Sequence, residues 1–109
     1  MAEPIVVVVP LNAGEGRGDD LIAAMTPCIE ETIKEEGCIK YALHRDKANP
    51  DAFVHLEVWR SQADLDEHGQ KPYLKALYKS MGEPGLLAGA PPMMFAEGVG
   101  VGGAKGSMA

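Results

Sequence analysis

Three histidines, His44, His55 and His68, and one carboxylate set in an apolar strand, Glu57, are the residues of this 109-residue chain best suited by type and placement to do chemistry. A carboxylate within residues 54–59 must find a hydrogen-bonding partner or shift its pKa upward on desolvation. Residues two apart on a strand share a face, so His55, Glu57 and Trp59 point the same way. That carboxylate reads either as a polar contact across a subunit seam or as a pocket group that polarises a substrate or orients a histidine. His68 ends a short helix, where an imidazole complements the dipole or serves as proton acceptor for a phenolic or enolic group, since free imidazole titrates near about pH 6.5. Tyr73 could assist it, and Trp59 is either a core residue or a flat wall for an aromatic ring. His44, His55, Glu57 and His68 have no recognised metal-ligand spacing, so no metal is expected. Cys28 and Cys38 lack CxxC spacing and read as reduced thiols, with Cys38 more a small hydrophobe than a redox nucleophile.

These side chains need a frame. Residues 5–9 are a continuous β-branched run closed by Pro10, which predicts a central strand buried on both faces. Residues 12–18 lose all periodicity and carry Gly14, Gly16 and Gly18, the mark of a flexible connection, after which Asp19 or Asp20 would cap a helix. In that helix Leu21, Ile22, Met25, Ile29 and Ile33 recur at helical spacing, with Glu30, Glu31, Lys34, Glu35 and Glu36 opposite. Pro27 predicts a kink or interruption, and Gly37 a left-handed stop. Residues 39–45 and 52–60 are strand-like around a polar loop, hence a hairpin, with Val54, Leu56 and Val58 on one face of its second strand and Phe53, His55, Glu57 and Trp59 on the other. Ser61 and Asp64 resemble a capping box for a short helix ending at His68 and Gly69. Pro72 suits the first turn of another helix, whose apolar face is Leu74, Leu77, Tyr78 and Met81. Residues 93–97 supply a last strand. The order is that of an α+β, ferredoxin-like βαββαβ sandwich, an antiparallel sheet with helices on one face. The bare apolar face then predicts a homodimer.

At 46% hydrophobic content the chain suits one domain over residues 1–109, with a core from about residue 4 to 97 and a flexible tail over 98–109. The net charge of -6 and the lack of any Lys/Arg run argue against nucleic acid and anionic membrane as partners. No apolar run approaches the roughly 20 residues of a membrane helix, no basic leader precedes the first strand, and a cytoplasmic protein is expected. The glycines of residues 98–106 do not run from a strand into a helix, as a phosphate loop would.

Glu35-Glu36-Gly37-Cys38-Ile39-Lys40-Tyr41, then Glu57-Val58-Trp59-Arg60-Ser61, then Asp66-Glu67-His68 with Lys71-Pro72-Tyr73, resembles the antibiotic biosynthesis monooxygenase family, most of all its quinol monooxygenase branch. The resemblance covers most of the chain. It implies a dimeric ferredoxin-like α/β barrel that oxidises a quinol or polyphenol with O₂ and carries no cofactor. A phenolate would give an electron to O₂ while the protein supplies a base, positioning and exclusion of water. Carried over, His68 would hydrogen-bond or deprotonate the substrate, with His55 and Glu57 as neighbouring polar groups in a catalytic set. Trp59, Tyr73, Tyr41, His44 and Met81 would line the substrate site. Haem-degrading relatives are disfavoured, because their first-strand Asn, second-helix Trp and haem-ligating His fall at about Val9, His68 and Tyr78. Two alternatives stand beside the oxygenase: a non-catalytic ligand-binding or stress-response barrel, and an isomerase or degrading enzyme for a small phosphorylated signal, served by Arg45, Arg60 and Lys71.

Overall fold

The computed structural model describes residues 3–108. Strand β1 (Ile5–Asn12), helix α1 (Gly18–Thr32), strands β2 (Cys38–Arg45) and β3 (Ala52–Trp59), helices α2 (Gln62–His68) and α3 (Pro72–Met81) and strand β4 (Met94–Glu97) follow one another along the chain. The strands form one sheet in the order β2-β3-β1-β4 with all neighbours antiparallel, which is the ferredoxin-like arrangement.

Side chains alternate across β1, and Val7, Val9 and Leu11 are buried against α1 and α3, whose Leu21, Met25, Leu74 and Leu77 complete the core. Its other face is only half-covered at Val6 and Val8 and open at Pro10, so the strand is not buried on both sides as its composition suggests. β1 also runs through Pro10 to Asn12. β4 pairs with β1 only as far as Val8, which leaves Pro10 beside an open edge where a missing N–H is tolerated.

Register decides which face of β3 lies inward. Ile5, Val7 and Val9 pair with Trp59, Glu57 and His55, so the ionisable face of β3 is the one under the helices. Val54, Leu56 and Val58 face the other way. Tyr41 pairs with Glu57 and joins the inner face, while His44 pairs with Val54 and lies on the outer one.

α1 departs from expectation in four ways. It runs unbroken through Pro27, whose neighbour one turn back, Ala23, is exposed, so the carbonyl that Pro27 cannot serve faces water. Its buried stripe is Leu21, Met25, Cys28 and Thr32, and Ile33 is 60% exposed. No Asp19 or Asp20 side chain caps its start. Instead Asp51, in the β2–β3 hairpin, accepts the Gly16 and Gly18 amides on its two oxygens at 2.9 Å each. Finally, the helix stops at Thr32, and Gly37 is not left-handed. Gly37 is required by close approach: a Cβ there would sit 2.2 Å from Asp64 Cγ.

α2 and α3 begin as predicted. Ser61 Oγ accepts the Asp64 amide at 3.2 Å, and Pro72 occupies the first turn of α3. In the tail over residues 98–109, for which flexibility was the expectation, a 3-10 turn spans Gly103–Gly106 and Ser107 donates to Glu3 at 3.1 Å. Ala109, the last residue of that expectation, lies outside the described residues. Among the described residues, no helix is long and apolar enough to cross a membrane.

Candidate active site

His68 closes α2 at the position where the chain turns toward α3, and its side chain points inward, 3% exposed. Its Nδ1 lies 2.8 Å from Glu35 Oε2, and the same oxygen accepts the Tyr73 hydroxyl at 2.6 Å. A carboxylate oxygen accepts, so Nδ1 carries a proton here, and in the neutral ring the lone pair is then on Nε2. Burial, reinforced by the bond to Glu35, pushes the Tyr73 phenol upward, so it stays a donor. Trp59 backs the imidazole at 4.5 Å between ring centroids.

Glu35 was expected on the outer side of α1. It turns inward because the helix ends three residues earlier, and its side chain is only 11% exposed.

Glu57 is the hinge of the constellation. Trp59 Nε1–H donates to its Oε1 at 2.9 Å, and burial raises its pKa while that hydrogen bond opposes the rise. It lies beneath the helices, not at an outer seam of the sheet. His55 Nε2 stands 3.8 Å from Glu57 Oε2, beyond hydrogen-bond reach. Burial lowers the His55 pKa to about 4, so at neutral pH the ring is uncharged and the two do not form an ion pair. Among the described residues, neither ring nitrogen of His55 has a hydrogen-bond partner. Leaving a buried polar atom unpartnered costs about 1–3 kcal/mol, which makes His55 expensive to hold where it is.

Two adjoining spaces open from these residues. The outer cavity measures about 540 Å³ and is lined by His68 and Glu57 with Val7, Leu74, Tyr78, Met93, Phe95 and, at its polar margin, Gln62, Asp66 and Gln70. The inner chamber, about 50 Å³, is lined by His55, Glu57 and Tyr41 with apolar Val9, Leu11, Met25, Leu77 and Met81. Glu57, Leu74, Tyr78 and Met93 border both.

The structure therefore brings His68, Glu57, His55, Tyr41 and Met81 to these spaces. It does not bring the others. Trp59 is fully buried behind His68 and Glu57 and is no cavity wall, Tyr73 is engaged with Glu35, and His44 lies on the far face of the sheet. Cys38 is half-buried, its thiol pushed up to about 11 by burial, which suits an inert thiol. Among the described residues, no group of three or more His, Cys, Asp or Glu is placed to hold a metal ion.

The family model for antibiotic biosynthesis monooxygenase matches residues 4–80. This chain belongs to that family. The matched span carries Glu35, Tyr41, His55, Glu57, His68 and Tyr73, and stops short of Met93 and Phe95 on the cavity wall. The uncharacterized protein sll1783 of Synechocystis sp. is 35% identical over 86 residues, 79% of this chain and 57% of that protein, so the chain spans little more than half the length of that relative. YgiN of Escherichia coli, a probable quinol monooxygenase, is 29% identical over 80 residues, covering 66% of this chain and 77% of that one. Among solved structures, a conserved protein from Methanosarcina mazei Go1 superposes with a TM-score of 0.80 at 26% identity, covering 88% of this chain and 93% of its own. An antibiotic biosynthesis monooxygenase superposes with a TM-score of 0.77 at 21% identity, over 87% and 98%, and shares the fold.

Proposed function

We propose that this member of the family is a monooxygenase that oxidises a quinol or related phenolic molecule with O₂. The observation that carries the proposal is that His68, held by Glu35 behind it, lines the 540 Å³ cavity, a size typical of small-molecule sites. His68 Nε2 takes the phenolic proton, and Glu35 holds the ring in the required tautomer and steadies the imidazolium that forms. The resulting phenolate is electron-rich enough to reduce O₂ by one electron, and the two radicals join in a carbon–oxygen bond. One oxygen atom stays on the ring and the other leaves as water, so hydroquinone and O₂ give hydroxybenzoquinone and H₂O. The substrate itself supplies all four electrons, and the reaction calls for no resident cofactor. The quinol in this assignment draws on the likeness to YgiN.

The apolar wall of Val7, Leu74, Tyr78, Met93 and Phe95 suits an aromatic ring, and the half-covered outer sheet face suits a second copy of the chain, making the working unit a homodimer. Two free thiols accord with a reducing compartment, and the reading places the enzyme in the cytoplasm. A phosphorylated substrate fits less well. Among the described residues, no Lys or Arg borders either space, and Arg45, Arg60 and Lys71 are held by Asp19, Asp64 and Glu67.

An oxygen electrode tests the proposal with a panel of substituted hydroquinones. Uptake by the unaltered protein, slowed about 10²–10⁴-fold in His68→Gln, is expected for loss of a general base. Uptake with none of the panel, or an unchanged rate in His68→Gln, would overturn it.

A further inference from the structure

The proton transfer at His68 leaves His55 without a task. A neutral imidazole has one N–H and one lone pair, and here both are buried and unpartnered beside a chamber that the ring itself lines. The chamber, about 50 Å³, is large enough for one hydroxyl-sized group. Glu57 lines the same chamber and sets its Oε2 3.8 Å from His55 Nε2. Two atoms that far apart are both reached by a single oxygen about 2.8 Å from each. With the ring proton on Nε2, such an oxygen accepts from His55 and donates to the Glu57 carboxylate. A hydroxyl does both, whereas an ether or carbonyl oxygen only accepts.

We infer that the gap between His55 and Glu57 is a hydroxyl-binding subsite, filled by one hydroxyl of a phenolic ligand whose ring lies in the outer cavity. The subsite rests on the reading of that cavity as a phenol site and adds to it a specificity determinant. A ligand with two hydroxyls reaches His68 with one and the inner chamber with the other, since Glu57 borders both spaces. Beside Tyr41 and Tyr78 the other walls, among them Leu11, Met25 and Leu77, are apolar, and in a space of this size they close on the added bulk of an O-alkyl group. His55 is here a positioning and selecting residue, distinct from the base.

The test is ¹⁵N NMR of the full chain labelled at histidine, titrated under argon with hydroquinone and with 1,4-dimethoxybenzene so that no turnover occurs. With three histidines the spectrum is assignable from His44→Gln and His68→Gln, and His44 on the outer face is an internal control. Hydroquinone is expected to shift the ring nitrogens of both His55 and His68, to leave His44 unmoved, and to bind at least about tenfold more tightly than the diether. The diether is expected to leave His55 in place. If hydroquinone moves His68 but not His55, the subsite is wrong and the cavity reading survives, the gap then holding only a resident water. If the diether moves His55 as much as hydroquinone does, hydroxyl recognition is wrong. If no histidine moves, both the subsite and the phenol site fall.

Discussion

Glu35 Oε2 serves two donors at once, His68 Nδ1 at 2.8 Å and the Tyr73 hydroxyl at 2.6 Å, and this shared acceptor fixes the imidazole. Glu35→Gln keeps an acceptor but loses the negative charge. A fall in kcat of about a hundredfold with KM little changed is expected, because the carboxylate acts on the proton-transfer step and touches no substrate. Steady-state oxygen uptake separates the two constants. His55 makes a different prediction. Its folded pKa, about 4, lies below the ordinary imidazole value of 6.5, so the unfolded chain binds the proton more readily between those values. Stability contributed by the neutral ring is present above about pH 6.5 and is lost as pH falls toward 4, by roughly 3 kcal/mol in total. His55→Leu is expected to abolish that acid sensitivity and to leave stability at pH 7 equal or greater, since it removes two unpartnered buried nitrogens. Urea midpoints from pH 4 to 8 check both statements. His55, Glu57 and His68 were legible as unusual from residue type and strand parity alone. Glu35 was not, although Leu21, Met25, Cys28, Thr32 and Glu35 continue one stripe at steps of four, three, four and three. Weighting that stripe by hydrophobicity favours Ile29 and Ile33 and hides a polar residue that the turn after Thr32 carries inward.

Among the elements, those with a strictly local cause were the readable ones. The Ser61–Asp64 cap and Pro72 each need only neighbours a turn away, and both stand where the spacing predicts. The start of α1 depends on a partner 33 and 35 residues distant, Asp51, and sequence proximity points to the wrong aspartates. Asp51→Ala removes acceptors for two amides and is expected to lower stability by about 1–2 kcal/mol, read from thermal or urea unfolding. Asp19→Ala is the matching control, since its one described bond is an exposed pair with Arg45, and it is expected to cost well under about 1 kcal/mol. Gly37 shows the same limit from the other side. Its glycine is set by Asp64 of α2 lying against it, a packing contact that chain position alone does not reveal.

At the scale of the whole molecule, the alternation in β3 carried the most information and left one question open. Its residues sort by parity onto an apolar face and one with ionisable groups, and the pairing of Val7 with Glu57 answers which of the two the helices cover. The outer face, with Val6, Val8, Val54 and Leu56 half-covered and Met94 63% exposed, is the one the proposed homodimer would cover. Sedimentation at micromolar concentration is expected to give twice the chain mass, and Leu56→Asp to give the monomer. A monomer from the unaltered chain would remove the dimer from the account. The catalytic claim is tested most directly by the fate of the oxygen atoms. Reaction of a hydroquinone with ¹⁸O₂, followed by mass spectrometry of the product, is predicted to place one labelled atom on each oxidised ring and the other in water. An unlabelled quinone accompanied by labelled hydrogen peroxide would show a simple oxidase and contradict the monooxygenase assignment.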